Sequence, residues 1–302
     1  YYRGSSVLFD IIFIGAIGLS QEELIFDFIK IITPPSELST RVAQGLMAYL
    51  EAKVMYYIIS KRKAELVLYD GSFLSLLTRI NSLYSAHNNY SADAIWSAKF
   101  LQNSNISHVK TGTLEDVLSS PQEMRRAWFS EILESDRVVA IPKQMTSTIF
   151  LQRRNPQLTR HYSDGSFFSM FLKEGQLVID TLKMLDPEVR HPTNLARNYV
   201  HRPPDADKVE HFYDNRGFLI VYYKPRKWSH ALKIEFPNNE KIEREVNKLP
   251  PNRFLQTLAT VREQMVTPYI REPLLKYLAH VFCQQFIAVS YTHLTLPTTE
   301  RV

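Results

Sequence analysis

Two blocks dense in Ile, Phe, Val and Leu open the chain, Val7–Gly18 and Leu24–Ile32, separated by Ser20-Gln21-Glu22-Glu23. The Ser20…Glu23 spacing imitates a helical capping box. The β-branched and aromatic content and the short length favour strands instead, and the two blocks predict an antiparallel hairpin. A long helix is predicted next. Thr33 is placed to cap it, Pro34 suits its first position, Glu37 falls in its first turn, and Lys61-Arg62-Lys63 complement the dipole at its end. Between Gly45 and Ile59 only Glu51 and Lys53 are charged, so this helix should pack on more than one side.

Leu66-Val67-Leu68-Tyr69 followed by Asp70-Gly71-Ser72 reads as a buried strand that opens into a tight turn. Further helices are predicted over Ser91–Gln102 and Pro121–Glu134. Arg137–Pro142 reads as a second buried strand, followed by Lys143, and Asp164–Leu172 as a helix after the basic, mixed stretch Ile149–Tyr162. Phe218–Tyr223 and Ala231–Phe236 predict a hairpin across Lys224-Pro225-Arg226-Lys227-Trp228. Asp186–Asp207, rich in Pro, His and Asn, reads as an ordered loop or insertion. Phe254–Gln264 and Pro273–Phe286 read as closing helices. The alternation of strands and helices predicts an α/β class with a mixed central sheet flanked by helices.

Composition narrows this little. The chain has 302 residues, 45% apolar and 22% charged, as expected of a globular protein with a substantial core. A net charge of +5 suits a polyanionic partner, but many soluble proteins carry as much. The lone cysteine, Cys283, rules out an intrachain disulfide and a cysteine-built zinc cluster, and fits a reducing cytoplasm. The apolar run Val7–Leu19 contains Asp10 and falls short of the roughly 20 residues a membrane helix needs, so no membrane association is predicted. No signal-peptide pattern is present. The start at Tyr1-Tyr2-Arg3 suggests that an upstream strand is missing. Residues 289–302 resemble translated sequencing-adapter read-through, the alternative being a genuine threonine-rich tail. The expected organisation is therefore one domain over 1–288 and a non-native tail over 289–302.

Asp70 is the most informative residue for chemistry. An acid at the carboxyl end of a buried strand points into the crevice where open α/β sheets bind ligands. A carboxylate there is a hard oxygen donor suited to Mg2+ or Mn2+, while an Asp-Gly turn is also an ordinary structural feature. Glu51 sits on the apolar helix just before that strand. A buried carboxylate needs a cation or a hydrogen-bond network, so Glu51 either shares a metal with Asp70 or forms a salt bridge, with Lys53 or with a distant arginine. His280 reads as a ligand, a proton donor or a surface histidine, and Lys143 as a phosphate contact or a solvated lysine. The basic and aromatic residues at Lys224–Trp228 and Arg153–Tyr162 suit nucleic acid and suit ordinary surface equally. Asp164-Gly165-Ser166 repeats the tripeptide of Asp70 but heads a helix, where Asp is a routine cap.

Taken together these motifs resemble the NurA family of nucleases, over Tyr1 to about Phe286. Glu51 matches a helical glutamate, Leu66–Ser72 a strand ending Leu-x-Asp-Gly-Ser, Val138–Lys143 a strand ending in lysine, and Pro273 with Ala279-His280 a late Pro-x-x-x-x-Ala-His. The family's earlier Asp-Gly-Ser strand is absent from this sequence and is expected to lie upstream of Tyr1. Its tyrosine before the late proline is replaced by Glu272, with Tyr269 nearby.

The resemblance implies an RNase H-like fold with its first strand missing. It implies a Mn2+- or Mg2+-dependent DNA nuclease with 5′–3′ exonuclease and single-strand endonuclease activity. It also implies a homodimer that works in DNA end resection with a HerA-type hexameric ATPase. Glu51, Asp70 and His280 would be ligands and catalytic groups, and Lys143 a DNA contact. The competing expectation is a non-catalytic subunit that binds DNA or the translocase.

Overall fold

The computed structural model describes residues 10–20, 24–33, 38–73, 75, 76, 79, 93–97, 109–113, 132, 137–142, 148–183, 217–238 and 252–295. The chain divides into two compact units. One comprises Tyr1–Val54, Arg79–Met124 and Leu278–Val302, the other Met55–Thr78 and Arg125–Tyr277.

In the first unit the predicted hairpin forms. β1 (Asp10–Leu19) and β2 (Leu24–Thr33) pair antiparallel without a slip, from Asp10 opposite Thr33 to Leu19 opposite Leu24. Thr33 closes the strand, and residues 34–37, where the predicted helix would begin, lie outside the described residues. The other edge of β2 pairs with β4 (Asp93–Ser97), and β4 with β5 (Val109–Thr113), giving the order β1-β2-β4-β5. The helix predicted over Ser91–Gln102 is thus a strand at residues 93–97. Ile95 and Trp96 suit a strand, and the open edge of β2 supplies backbone partners that outweigh local helical preference. β5 was not predicted, because Val109-Lys-Thr-Gly-Thr has no apolar alternation to signal it.

α1 (Leu38–Ser60) follows the predicted course from its described start. Leu46, Ala48, Tyr49, Leu50, Ala52 and Val54 are all buried, and at helical spacing they point around most of the circumference. Lys53 reaches the buried Asp27 on β2, its Nζ 2.8 Å from Oδ2, and the Phe28 N–H donates to Oδ1.

The second unit holds β3 (Val67–Tyr69), β6 (Val138–Ala140), β7 (Leu177–Lys183), β8 (Gly217–Tyr223) and β9 (Leu232–Asn238), in the order β3-β6-β9-β8-β7. β3 and β6 run parallel and the other pairings are antiparallel, so the sheet is mixed. The predicted hairpin of β8 and β9 is present. β7 was not predicted; Asp180 and Thr181 break its apolar run.

Both faces of this sheet are covered. Leu219, Val221, Leu232, Ile234 and Phe236 pack with Phe254, Leu258 and Val261 of α4 (Asn252–Gln264). On the other face Ile220, Tyr222 and Ala231 pack with Phe168 of α3 (Asp164–Phe171) and Phe150 of α2 (Ile149–Arg154), the Phe168 and Tyr222 rings stacking at 4.2 Å. A five-stranded mixed sheet between helices is the α/β class predicted. One element of the expected topology differs. The RNase H-like core implied by the resemblance would hold the hairpin and β3 in a single sheet, whereas β1 and β2 share a sheet with β4 and β5, and β3 pairs with β6.

Asp164 also departs from expectation. Ser163 is the N-cap of α3 and forms a capping box with Ser166. Asp164 is buried and instead accepts the Phe150 and Leu151 N–H groups at the start of α2, both at 3.0 Å, and the Tyr222 hydroxyl at 3.0 Å. Burial first, and then the Asp164 charge, push the Tyr222 phenol far above its ordinary range, so it stays a donor. α5 (Leu274–Thr295) closes the described chain. The predicted helix over Pro121–Glu134, apart from the buried Ile132, and the loop over Asp186–Asp207 lie outside the described residues. Among the described residues no helix is long and apolar enough to cross a membrane.

Two predictions concern the first unit. A Cβ at Gly15 would lie 2.8 Å from Cε2 of Phe26, a ring that is 1% exposed and has little room to move. Gly15→Ala should therefore destabilise by about 1–3 kcal/mol, read as a lower denaturant midpoint at unchanged slope. Burial raises the pKa of Asp27 above its ordinary value, more than Lys53 lowers it. Ionising Asp27 thus costs the folded state more than the unfolded chain. Asp27→Asn should raise the melting temperature at neutral pH, and the gain should vanish as pH falls below the ordinary carboxylate range.

Candidate functional site

The carboxyl end of β3 carries the candidate site. Tyr69, 5% exposed, closes the strand, and its carbonyl accepts the Ile141 N–H from the end of β6 at 2.9 Å and the Gly71 N–H at 3.0 Å. The second of these bonds folds the chain sharply at Asp70. Glycine is required at position 71 by space: a Cβ there would lie 2.5 Å from the Tyr69 ring. The Leu76 N–H then bonds the Ser72 carbonyl at 2.9 Å, so the chain becomes helical from Phe73.

Two buried charges from elsewhere in the second unit hold this turn. Glu235 of β9 is 2% exposed. Its Oε1 accepts the Ser72 hydroxyl at 3.0 Å and the Lys233 ammonium at 2.7 Å, and its Oε2 accepts the Phe73 N–H at 2.8 Å. Lys276, in the first turn of α5 and with a side chain only 1% exposed, bridges two acids. Its Nζ lies 3.0 Å from Oδ1 of Asp70 and 2.5 Å from Oε2 of Glu272. Asp70 itself keeps a third of its side-chain surface exposed, so the turn presents a carboxylate to solvent while its surroundings are closed.

Asp70 therefore stands at the sheet end as its sequence context predicted. Glu51 lies on the part of α1 that belongs to the other unit, its Oε2 3.2 Å from Nη2 of Arg79. This is the salt bridge with a distant arginine; Lys53 pairs with Asp27 instead. His280 is half-buried on α5, again in the first unit, and makes no hydrogen bond or ion pair to a described residue. Tyr269 is 93% exposed. Lys143 lies outside the described residues.

The donor type at Asp70 and Glu51 suits a hard divalent cation. Among the described residues no three Asp, Glu, His or Cys side chains come together to hold a metal ion, and each of the two acids already faces a cationic side chain.

Glu235, Lys233 and Lys276 were not singled out from sequence. Lys233 and Glu235 alternate with Leu232, Ile234 and Phe236, the pattern of a strand with one face in water. They lie opposite Tyr222 and Ile220, on the face that α2 and α3 cover, and that covering helix pair is tertiary information. Lys276 had one signal, its i,i+4 spacing from Glu272.

No protein-family model and no curated protein matches the chain. Solved structures that it resembles include NurA structures. The NurA nuclease from Sulfolobus solfataricus is 12% identical over 98% of this chain and 88% of that one, with a TM-score of 0.43. A structure of NurA with manganese is 9% identical over 97% and 89%, with a TM-score of 0.41. A third, NurA bound to dAMP and manganese, is 12% identical over 77% and 78%, with a TM-score of 0.31. Scores this low define no shared geometry at the residues of the site.

Removing Lys276 leaves Asp70 and Glu272 facing one another without their shared cation. Lys276→Met should destabilise by about 2–4 kcal/mol, toward the lower figure because Asp70 can rehydrate. The double variant Lys276→Met/Glu272→Gln should recover part of that loss, measured by denaturant unfolding of both proteins.

Proposed function

We propose that this chain is a DNA nuclease, hydrolysing phosphodiester bonds at the turn that carries Asp70. One observation supports the reading above others. A partly exposed carboxylate sits at the carboxyl end of β3, beside the parallel strand β6, with its carboxyl group and the turn that follows it held by buried partners. That is where open α/β sheets place reactive groups, and a carboxylate fixed there needs little reorganisation to meet a substrate. In this reading Asp70 is the central acid. The sequence resemblance also assigns Glu51 and His280 to catalysis and Lys143 to a phosphate contact.

A divalent cation, Mn2+ or Mg2+, belongs to this reading through the sequence resemblance. Because the described side chains form no metal-holding group, no step is assigned to it. Exonuclease action from the 5′ end, single-strand endonuclease action, a homodimer, a HerA-type translocase partner and a cytoplasmic setting come from the same resemblance. The alternative is a non-catalytic subunit that binds DNA or the translocase. It is favoured by Lys276 already neutralising Asp70.

The two readings separate in one assay. Labelled single-stranded and duplex DNA are incubated with the chain in Mn2+, in Mg2+ and after chelation. The nuclease reading expects cleavage that chelation stops, and a loss of more than about a hundredfold in rate for Asp70→Ala with DNA binding kept. Binding without cleavage in either metal, or full cleavage by Asp70→Ala, rejects it.

A further inference from the structure

We propose that Glu235 is the positioning residue of the Asp70 site, an inference that rests on reading Asp70 as the reaction centre. Its carboxylate is held deep in the second unit, on the central strand β9, between Ala140 of β6 and Ile220 of β8. Burying a carboxylate with a lysine is costly, and an apolar pair at positions 233 and 235 would pack on that face without the cost. What an apolar pair cannot do is accept hydrogen bonds from the turn.

Glu235 accepts two from the turn, on different oxygens and from successive residues: the Ser72 hydroxyl at 3.0 Å on Oε1 and the Phe73 N–H at 2.8 Å on Oε2. Two bonds to one planar group fix orientation as well as distance. The Phe73 N–H belongs to the first helical turn after the site, where backbone donors lack partners within the helix. Lys233, 2.7 Å from Oε1, neutralises the carboxylate so that it stays in place.

The hold reaches Asp70 because the intervening chain has little slack. Gly71 bonds back to the Tyr69 carbonyl and lies against the Tyr69 ring, so fixing Ser72 and Phe73 fixes the backbone of Asp70. Lys276 holds the Asp70 side chain separately. Glu235 sets where the acid stands, and Lys276 sets where its oxygen points.

The test compares the parent chain with Glu235→Gln and with the charge-free pair Lys233→Met/Glu235→Leu. The readouts are thermal melting, amide hydrogen exchange at Phe73, and kcat and KM for DNA cleavage. The charge-free pair should melt close to the parent and keep the amides of Val221 and Ile234 protected. Its Phe73 amide should exchange about tenfold or more faster, and its kcat should fall at least about tenfold with KM little changed. Glu235→Gln, which still offers an oxygen to Phe73, should lie between the two. A Phe73 amide exchanging at the parent rate, or a loosened amide with parental kcat, overturns the positioning role. If Asp70→Ala abolishes cleavage while the charge-free pair cleaves normally, this inference alone falls. If the parent chain cleaves no DNA, the reading of the site falls first.

Discussion

A carboxylate cannot be buried without donors, and the second unit is arranged around that constraint. Glu235 sits in the middle of a sheet whose two faces are both covered, far from solvent. Its charge is met by Lys233 and by two donors from the turn after β3. The packing of α2 and α3 against one face makes the charge costly, and the turn makes it satisfied. Asp164 follows the same logic nearby, meeting two N–H groups of α2 and the Tyr222 hydroxyl. In both cases a buried acid joins segments distant in sequence, which apolar contacts alone would not orient.

This constraint separates stability from function in the site. The core of the sheet is apolar on the α4 side, where Val221, Ile234 and Val261 are fully buried. Charged groups gather instead at the end of β3 and on the face toward α2 and α3. Burial there yields little net stability, because desolvation offsets most of the attraction between charges. A turn fixed at that expense is the place to look for chemistry, and Asp70, a third exposed among closed neighbours, is the group it presents.

Much of this was legible in the sequence, for identifiable reasons. The hairpin of β1 and β2, the helix α1, the strands β3, β6, β8 and β9 and the helices α3 and α4 each carry a strong local signal, either periodicity or a dense apolar run. Asp70 was legible because a strand signal ended directly on it. Residues 93–97 and 109–113 were misread or missed because their strand character depends on the edge of β2, a partner distant in sequence. Likewise, Glu235 and Lys233 follow the alternation of an exposed strand face, and only the helices packed on that face reveal their burial. The apolar setting of Glu51 signalled a partner, but its identity, Arg79, depended on tertiary placement.

In the reading proposed above, DNA reacts at the Asp70 turn as Glu235 and Lys276 hold it. A crystal structure of the chain with a non-hydrolysable phosphorothioate oligonucleotide tests this most directly. A backbone phosphate should be seated against Asp70, with the Glu235 bonds to Ser72 and Phe73 intact. An oligonucleotide bound on another surface, with no phosphate at Asp70, would contradict it.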